Sequence, residues 1–289
     1  MFYQSIRIQI AIITKLINNT KFKIDKGDHL LDTHTHILWN IDDGSKNQCM
    51  SLQMLEIAAR SGTKAIFATP HVIERANKPS WEEIKEKTQQ LRQLCAEAQI
   101  DIMLYPGAEV QMNWELLPEL GATGAYCLNG GRYLLIELPA AEIPAYADEF
   151  WYELELKGIT PILAHPERYQ QLRENPDLLL LWRRGMLMQC NSGSFTGMFG
   201  SSVCENAKVL LANGLVDLLG SDGHRSEGRN TDMSRAAAVI RQLAGEEVLR
   251  QLTETNPQAI LKNQEIELKQ PKVLLEDKPK SFWQKLFGK

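Results

Sequence analysis

An apolar run that stops at two histidines, Leu30-Leu31-Asp32-Thr33-His34-Thr35-His36, constrains this chain more than any other stretch. In a strand the side-chain period is two, so His34 and His36 point to the same side. Two imidazoles at one strand end form half of a divalent-metal site, and Asp42 and Asp43 lie close enough in sequence to add oxygen ligands. A His-x-His in isolation is equally compatible with a hydrogen-bonded pair in a loop. The positions of the other histidines decide between these readings.

From His29 onward, short apolar runs alternate with amphipathic stretches. The pattern predicts strands at 29–33, 64–69, 100–105, 133–138, 160–164, 186–189 and 215–219. Helices are predicted at 49–60, from the Ser80 cap to about 98, and at 145–157, 177–184, 203–212, 233–243 and 246–253. Seven strands alternating with helices favour a parallel sheet curled into a barrel over an open doubly wound sheet. Of the six histidines, His34, His36, His71, His165 and His224 fall at or just beyond the carboxyl end of a predicted strand, and only His29 begins one. Glu109, Glu137 and Asp222 occupy equivalent places. A parallel barrel brings all its strand carboxyl ends to one face, where active sites form. Five imidazoles with several carboxylates exceed what one tetrahedral ion accepts and suit two or three divalent ions bridged by carboxylates.

The chain has 289 residues, of which 44% are hydrophobic and 24% charged, and a net charge of −4. This composition fits a soluble globular protein and provides no basic stripe for nucleic acid. The five cysteines are scattered, with no Cys-x-x-Cys pair, as expected of reduced thiols in the cytoplasm. None has arginine at the sixth following position, so the chain lacks a Cys-x5-Arg anion-cradling loop that would activate a cysteine nucleophile.

Residues 1–28 read as an extension. The apolar run 8–17 is too short to span a bilayer and lacks a signal-peptide cleavage site. Residues 264–289 form a charged tail in which Phe282, Trp283, Leu286 and Phe287 recur at helical spacing among lysines. Such a segment could touch a membrane surface or a partner, or pack on its own domain.

The ordered set His34-Thr35-His36, Thr69-Pro70-His71, Gly107-Ala108-Glu109, Ala164-His165-Pro166 and Ser221-Asp222-Gly223-His224 resembles the polymerase and histidinol phosphatase (PHP) family. Asp42-Asp43-Gly44, Ile136-Glu137-Leu138, His165-Pro166-Glu167-Arg168-Tyr169 and Asp222-Gly223-His224 with Arg229 narrow the likeness. They are similar to the bacterial manganese-dependent protein-tyrosine phosphatases of capsule and exopolysaccharide loci. The resemblance covers residues 29–263 and implies a distorted (β/α)7 TIM-like barrel holding three metals. It implies a first ion held by His34, His36, Glu109 and Asp222, and a second held by Glu109, Glu137 and His165. The third would be held by Asp43, His71 and His224, with Asp42 as the alternative to Asp43. Many family members carry histidine where Glu137 stands.

Arg168 and Arg229, each just after an expected ligand, are the candidate phosphate clamps. A structural ion pair is the competing role for each. The implied cofactor is Mn2+, with iron or zinc compatible with the same donors. The implied substrate is phosphotyrosine on an autophosphorylating tyrosine kinase that controls polysaccharide export, and a homo-oligomer is expected. Two rival readings are a PHP phosphatase for a small metabolite such as histidinol phosphate, and a non-catalytic scaffolding protein that retains the fold.

Overall fold

Strands buried on both faces read as largely apolar runs, and the stretches between the amphipathic segments provide them. The computed structural model describes residues 29–120, 124–268 and 271. The readings made for residues 1–28 and for the segment 282–287 lie outside these. Among the described residues nine short parallel strands form: β1 (Leu30–Thr35), β2 (Thr63–Ala68), β3 (His71–Val72), β4 (Met103–Pro106), β5 (Glu109–Gln111), β6 (Tyr133–Glu137), β7 (Thr160–Ala164), β8 (Leu187–Asn191) and β9 (Leu218–Gly220). They pair in the orders β1-β2-β4 and β3-β5-β6-β7-β8-β9.

The nine strands correspond to the seven expected from the sequence, because two of those are broken. β2 and β3 are one path interrupted at Thr69-Pro70, and β4 and β5 are one path interrupted at Gly107-Ala108. Pro70 lacks the N–H that a ladder requires, which explains the first break. Backbone bonds bridge both gaps: Gly107 N–H donates to Ala68 O at 2.9 Å and Glu109 N–H to Pro70 O at 3.0 Å. The last strand returns to the first, since Asp222 N–H donates to His34 O at 2.7 Å and His36 N–H to Gly223 O at 3.0 Å. The result is a curled, distorted parallel barrel.

Alternation along the strands separates two cores. Leu134, Ile136, Leu163, Met188 and Leu219 face the surrounding helices. Tyr133, Leu135, Ile162, Ala164, Leu187 and Leu218 fill the barrel with Phe67 and Ile260. The outer layer includes helices at Gln48–Arg60, Trp81–Glu97, Ala147–Leu156, Ser201–Ala212 and Ser234–Ala244. Two of them begin on capping side chains: Asn47 Oδ1 accepts from Met50 N–H, and Ser80 Oγ from Glu83 N–H.

Residues 256–261, unassigned in the sequence reading, form a further helix, and Ile260 closes the barrel floor. Gln264 to Leu268, expected to open the tail, belong to that floor as well. Tyr133 Oη donates to Gln264 O at 2.6 Å, and Ile266 and Leu268 pack on the inner core. Among the described residues no helix is long and apolar enough to cross a membrane.

Barrel closure depends on the lack of a side chain at Gly220. A Cβ there would lie 2.5 Å from His34 Cβ and 2.8 Å from Gln189 Nε2. Gly220→Ala is therefore expected to lower unfolding stability by about 1–3 kcal/mol in urea titrations. Gly185→Ala, whose Cβ would meet nothing within 4 Å, should stay within about 0.5 kcal/mol.

Candidate metal centre

On β6 and β8 the inward face turns from apolar to polar as the strand rises. Tyr133 and Leu135 lead to Glu137, and Leu187 leads to Gln189 and Asn191. All nine expected ligands meet at this mouth.

His34 and His36 have their tautomers fixed from behind. His34 Nδ1–H donates to Gln189 Oε1 at 2.9 Å, and His36 Nδ1–H donates to Asp42 Oδ2 at 2.7 Å. In the neutral rings this leaves a lone pair on each Nε2, and these two atoms are 3.1 Å apart. Glu109 Oε2 lies 3.1 and 3.2 Å from them, and Asp222 Oδ1 lies 3.5 and 3.3 Å away. Four acceptor atoms thus face one another with separations typical of donors around one ion with bonds of about 2.0–2.2 Å.

The rest of the cluster surrounds Glu109. His165 Nε2–H donates to Glu109 Oε1 at 2.8 Å. His71 Nδ1 lies 3.1 Å from Glu109 Oε2 and 3.4 Å from Glu137 Oε1. Asp43 Oδ1 lies 3.3 Å from His224 Nε2 and 3.7 Å from His71 Nε2. Ligand-atom groupings form at His36-Asp43-His71-His224, His34-Glu109-His165, His34-His36-Asp222 and His71-Glu109-Glu137. Glu137 therefore meets His71, whereas His165 meets His34, so the second expected set is joined only through Glu109.

The two neighbouring aspartates do different work. Asp42 Oδ2 also accepts from His71 N–H and its Oδ1 from Gly44 N–H, so both oxygens are committed to positioning. Asp43 turns its oxygen toward the histidines.

Several buried atoms here have no hydrogen-bond partner: Glu109 Oε2, Asp222 Oδ1, His71 Nδ1, His165 Nδ1 and His224 Nε2. Buried polar atoms normally find partners. A cluster of unsatisfied nitrogen and oxygen donors on facing ligands is what divalent cations would satisfy, so the residues present fit such ions.

Charge shifts follow from the same crowding. Burial alone would lower the pKa of His34 and His36. For His34 it is outweighed chiefly by Glu109 and Asp222, and for His36 by Asp42 and the hydrogen bond to Asp222, so both are raised. Burial likewise opposes ionisation of Glu109 and Asp222, but facing histidines hold both well below the usual carboxylate range. His224 goes the other way, to about 4, through burial and the adjacent His36. Asp32, fully buried behind the site, is pushed up to about 6 by burial. Two of the expected ligands have left-handed backbone, His165 at φ 38° and Asp222 at φ 53°. Strain of this kind concentrates at functional sites.

A cavity of about 770 Å³ opens over the cluster. Its floor includes Asp43, His71, Glu109, Glu137, His165 and His224. Its walls include Leu138, Pro139, Ala141, Ile143, Tyr169, Arg168 and Arg229. Arg168 Nη1–H donates to Asp222 Oδ2 at 3.2 Å, and Arg229 pairs with the same oxygen. Asn191 Nδ2–H donates to it too, at 2.5 Å.

The sequence reading did not identify Gln189, Asn191 or the orienting role of Asp42. Their one signal was position at the carboxyl end of a strand or beside a ligand.

Comparison with known proteins places the chain in a family. The family profile described as "Capsular polysaccharide synthesis, CpsB/CapC" matches residues 30–262. The tyrosine-protein phosphatase YwqE of Bacillus subtilis is 35% identical over 238 residues, covering 82% of this chain and 93% of that protein. The tyrosine-protein phosphatase CpsB of Streptococcus pneumoniae is 29% identical over 241 residues, covering 81% and 99%. A crystal structure from a study of YwqE and CpsB as metal-dependent tyrosine phosphatases superposes with TM-score 0.77 at 33% identity, covering 84% of this chain and 98% of that one.

Gln189→Leu leaves His34 Nδ1–H without its buried acceptor while preserving strand β8. Removal of such an orienting partner should weaken divalent-metal affinity by about 10- to 100-fold, measured by competition with a chromophoric chelator. Because His34, His36 and His71 are raised and bound ions displace their protons, metal binding should release protons and tighten as pH rises. Calorimetry in buffers of different ionisation enthalpy measures that release.

Proposed function

The chain belongs to the CpsB/CapC family of capsular polysaccharide synthesis; on that premise we propose that it is a metal-dependent tyrosine phosphatase acting on a phosphotyrosine protein through the cluster of nine side chains at the barrel mouth. We propose further that His34, His36, Asp43, His71, Glu109, Glu137, His165, Asp222 and His224 hold its ions, that these are manganese, and that the substrate is a tyrosine autokinase controlling polysaccharide export. The observation that carries the reading is the convergence of unsatisfied nitrogen and oxygen donors beneath an open cavity whose rim holds two arginines.

Bound at these donors, divalent ions would lower the pKa of water toward neutrality and neutralise phosphoryl charge. The chain's own groups do the remaining work. Gln189 and Asp42 hold His34 and His36 in the tautomer that presents Nε2. Arg168 and Arg229 share Asp222 Oδ2, and a phosphate would compete for both guanidinium groups. Leu138, Pro139, Ala141 and Ile143 give one wall an apolar surface suited to an aryl ring, and Tyr169 Oη holds that wall by accepting from Leu138 N–H at 2.9 Å.

A cysteine nucleophile does not fit this chain. No cysteine lines the cavity, and burial raises the thiol pKa of Cys95, Cys127 and Cys190, to about 12 for Cys127. A thiol held protonated is a poor nucleophile.

The test is phosphate release from a phosphotyrosine peptide and from histidinol phosphate after metal removal and addition of manganese. Manganese-dependent release from the peptide is expected, with His165→Ala abolishing it and Arg168→Ala or Arg229→Ala lowering kcat/KM by about 10²- to 10³-fold. Release from histidinol phosphate alone would overturn the substrate assignment.

A further inference from the structure

The two rim arginines come from different loops, and a third loop between them carries an aromatic ring. Arg168 follows β7, Arg229 follows β9, and Phe199 follows β8. Arg168 Cζ lies 4.7 Å from the Phe199 ring centroid, and Arg229 Cζ lies 5.6 Å from it. One ring therefore lies within cation–π reach of both guanidinium groups.

The ring is held in place from behind. Met198 N–H donates to Gly193 O at 3.0 Å, folding the loop back over Gly193. A Cβ on Gly193 would lie 3.1 Å from Phe199 Cε2 and 2.9 Å from Met198 Sδ. Gly197 and Gly200 flank Met198-Phe199 at φ 83° and 92°, where glycine adopts the backbone without strain. On the other side, Glu167 Oε1 accepts from Asn191 N–H at 2.9 Å and Ser194 Oγ–H at 2.6 Å, tying the Arg168 turn to the start of the Phe199 loop.

We propose that Phe199 is a positioning residue for phosphate binding: its ring face holds Arg168 and Arg229 side by side at the cavity rim so that both address one phosphoryl group. The inference rests on the assignment of these arginines as the phosphate clamp. Asp222 also holds them, but its other oxygen faces His34 and His36, so its charge is shared with whatever occupies the metal centre. The ring's attraction for cations is independent of that occupancy.

The test compares manganese-loaded wild type with Phe199→Leu, Phe199→Tyr and Phe199→Ala. Inorganic phosphate affinity is measured by calorimetry, and KM on a phosphotyrosine peptide, bound metal and Tm are measured alongside. Loss of two partly exposed cation–ring contacts should weaken phosphate binding and raise KM by about 5- to 30-fold in Phe199→Leu. Phe199→Tyr, which keeps the ring face, should stay within about twofold of wild type, with metal content and Tm unchanged in both.

Wild-type phosphate affinity in Phe199→Leu would overturn the proposal, because packing alone would then suffice. Equal weakening in the Leu and Tyr variants would overturn it too. Should Phe199→Ala fail to fold, the Leu and Tyr pair still decides. If phosphate binding follows the expected order while the peptide is not hydrolysed, the clamp is supported and the phosphotyrosine assignment fails.

Discussion

Two imidazole nitrogens 3.1 Å apart and flanked by two buried carboxylates are a charge arrangement that water cannot relieve. Glu109 and Asp222 are at most 1% exposed, so their charges are felt at low dielectric. Opposite charge must come from within: protons on the histidines when the centre is empty, cations when it is filled. The rest of the mouth keeps these groups from moving apart. The bonds that close the barrel, Asp222 N–H to His34 O and His36 N–H to Gly223 O, are also those that set Asp222 against the two histidines. Closing the fold and assembling the centre are one event.

This accounts for the uneven interior. Below the mouth, Tyr133, Leu135, Ile162, Leu187 and Leu218 bury apolar surface, which stabilises the barrel by about 25 cal/mol for each Å² removed from water. Above them the same strand faces carry Glu137, Gln189 and Asn191, which contribute no such burial. The left-handed backbone at His165 and Asp222 adds local strain at the same level. Stability is thus concentrated in the lower half and in the helix layer, while the upper half bears the cost of an unsatisfied cluster until ions bind.

The parts legible in the sequence were those with a local period. Two histidines two residues apart in a strand had to share a side, and a His or acid closing several strands had to gather on one face of a barrel. The breaks at Pro70 and at Gly107-Ala108 were less visible, because the strand path continues in space after its ladder stops. The seventh strand was read at 215–219 from its leucines but forms at Leu218–Gly220. Asp217 instead pairs with Arg183 and accepts from Met188 N–H at 2.8 Å, which anchors the approach to β9. Asp42 and Asp43 could not be separated from sequence, since one residue's difference in a turn decides which carboxylate faces back toward His36. Gln189 and Phe199 touch residues 155 and about 30 positions away, and no local pattern encodes such contacts.

Asp222 joins the two halves of the site. Its Oδ1 faces His34 and His36, and its Oδ2 takes Arg168, Arg229 and Asn191. A carboxylate has one negative charge to divide between these sides. Charge drawn toward cations at Oδ1 is charge withdrawn from the arginines at Oδ2, which frees them for an incoming anion. If ions are held at Oδ1 and a phosphate at the two arginines, as proposed, the two binding events would be electrostatically coupled through a single side chain. By linkage, an anion that draws the arginines away leaves Asp222 more strongly committed to the metal side.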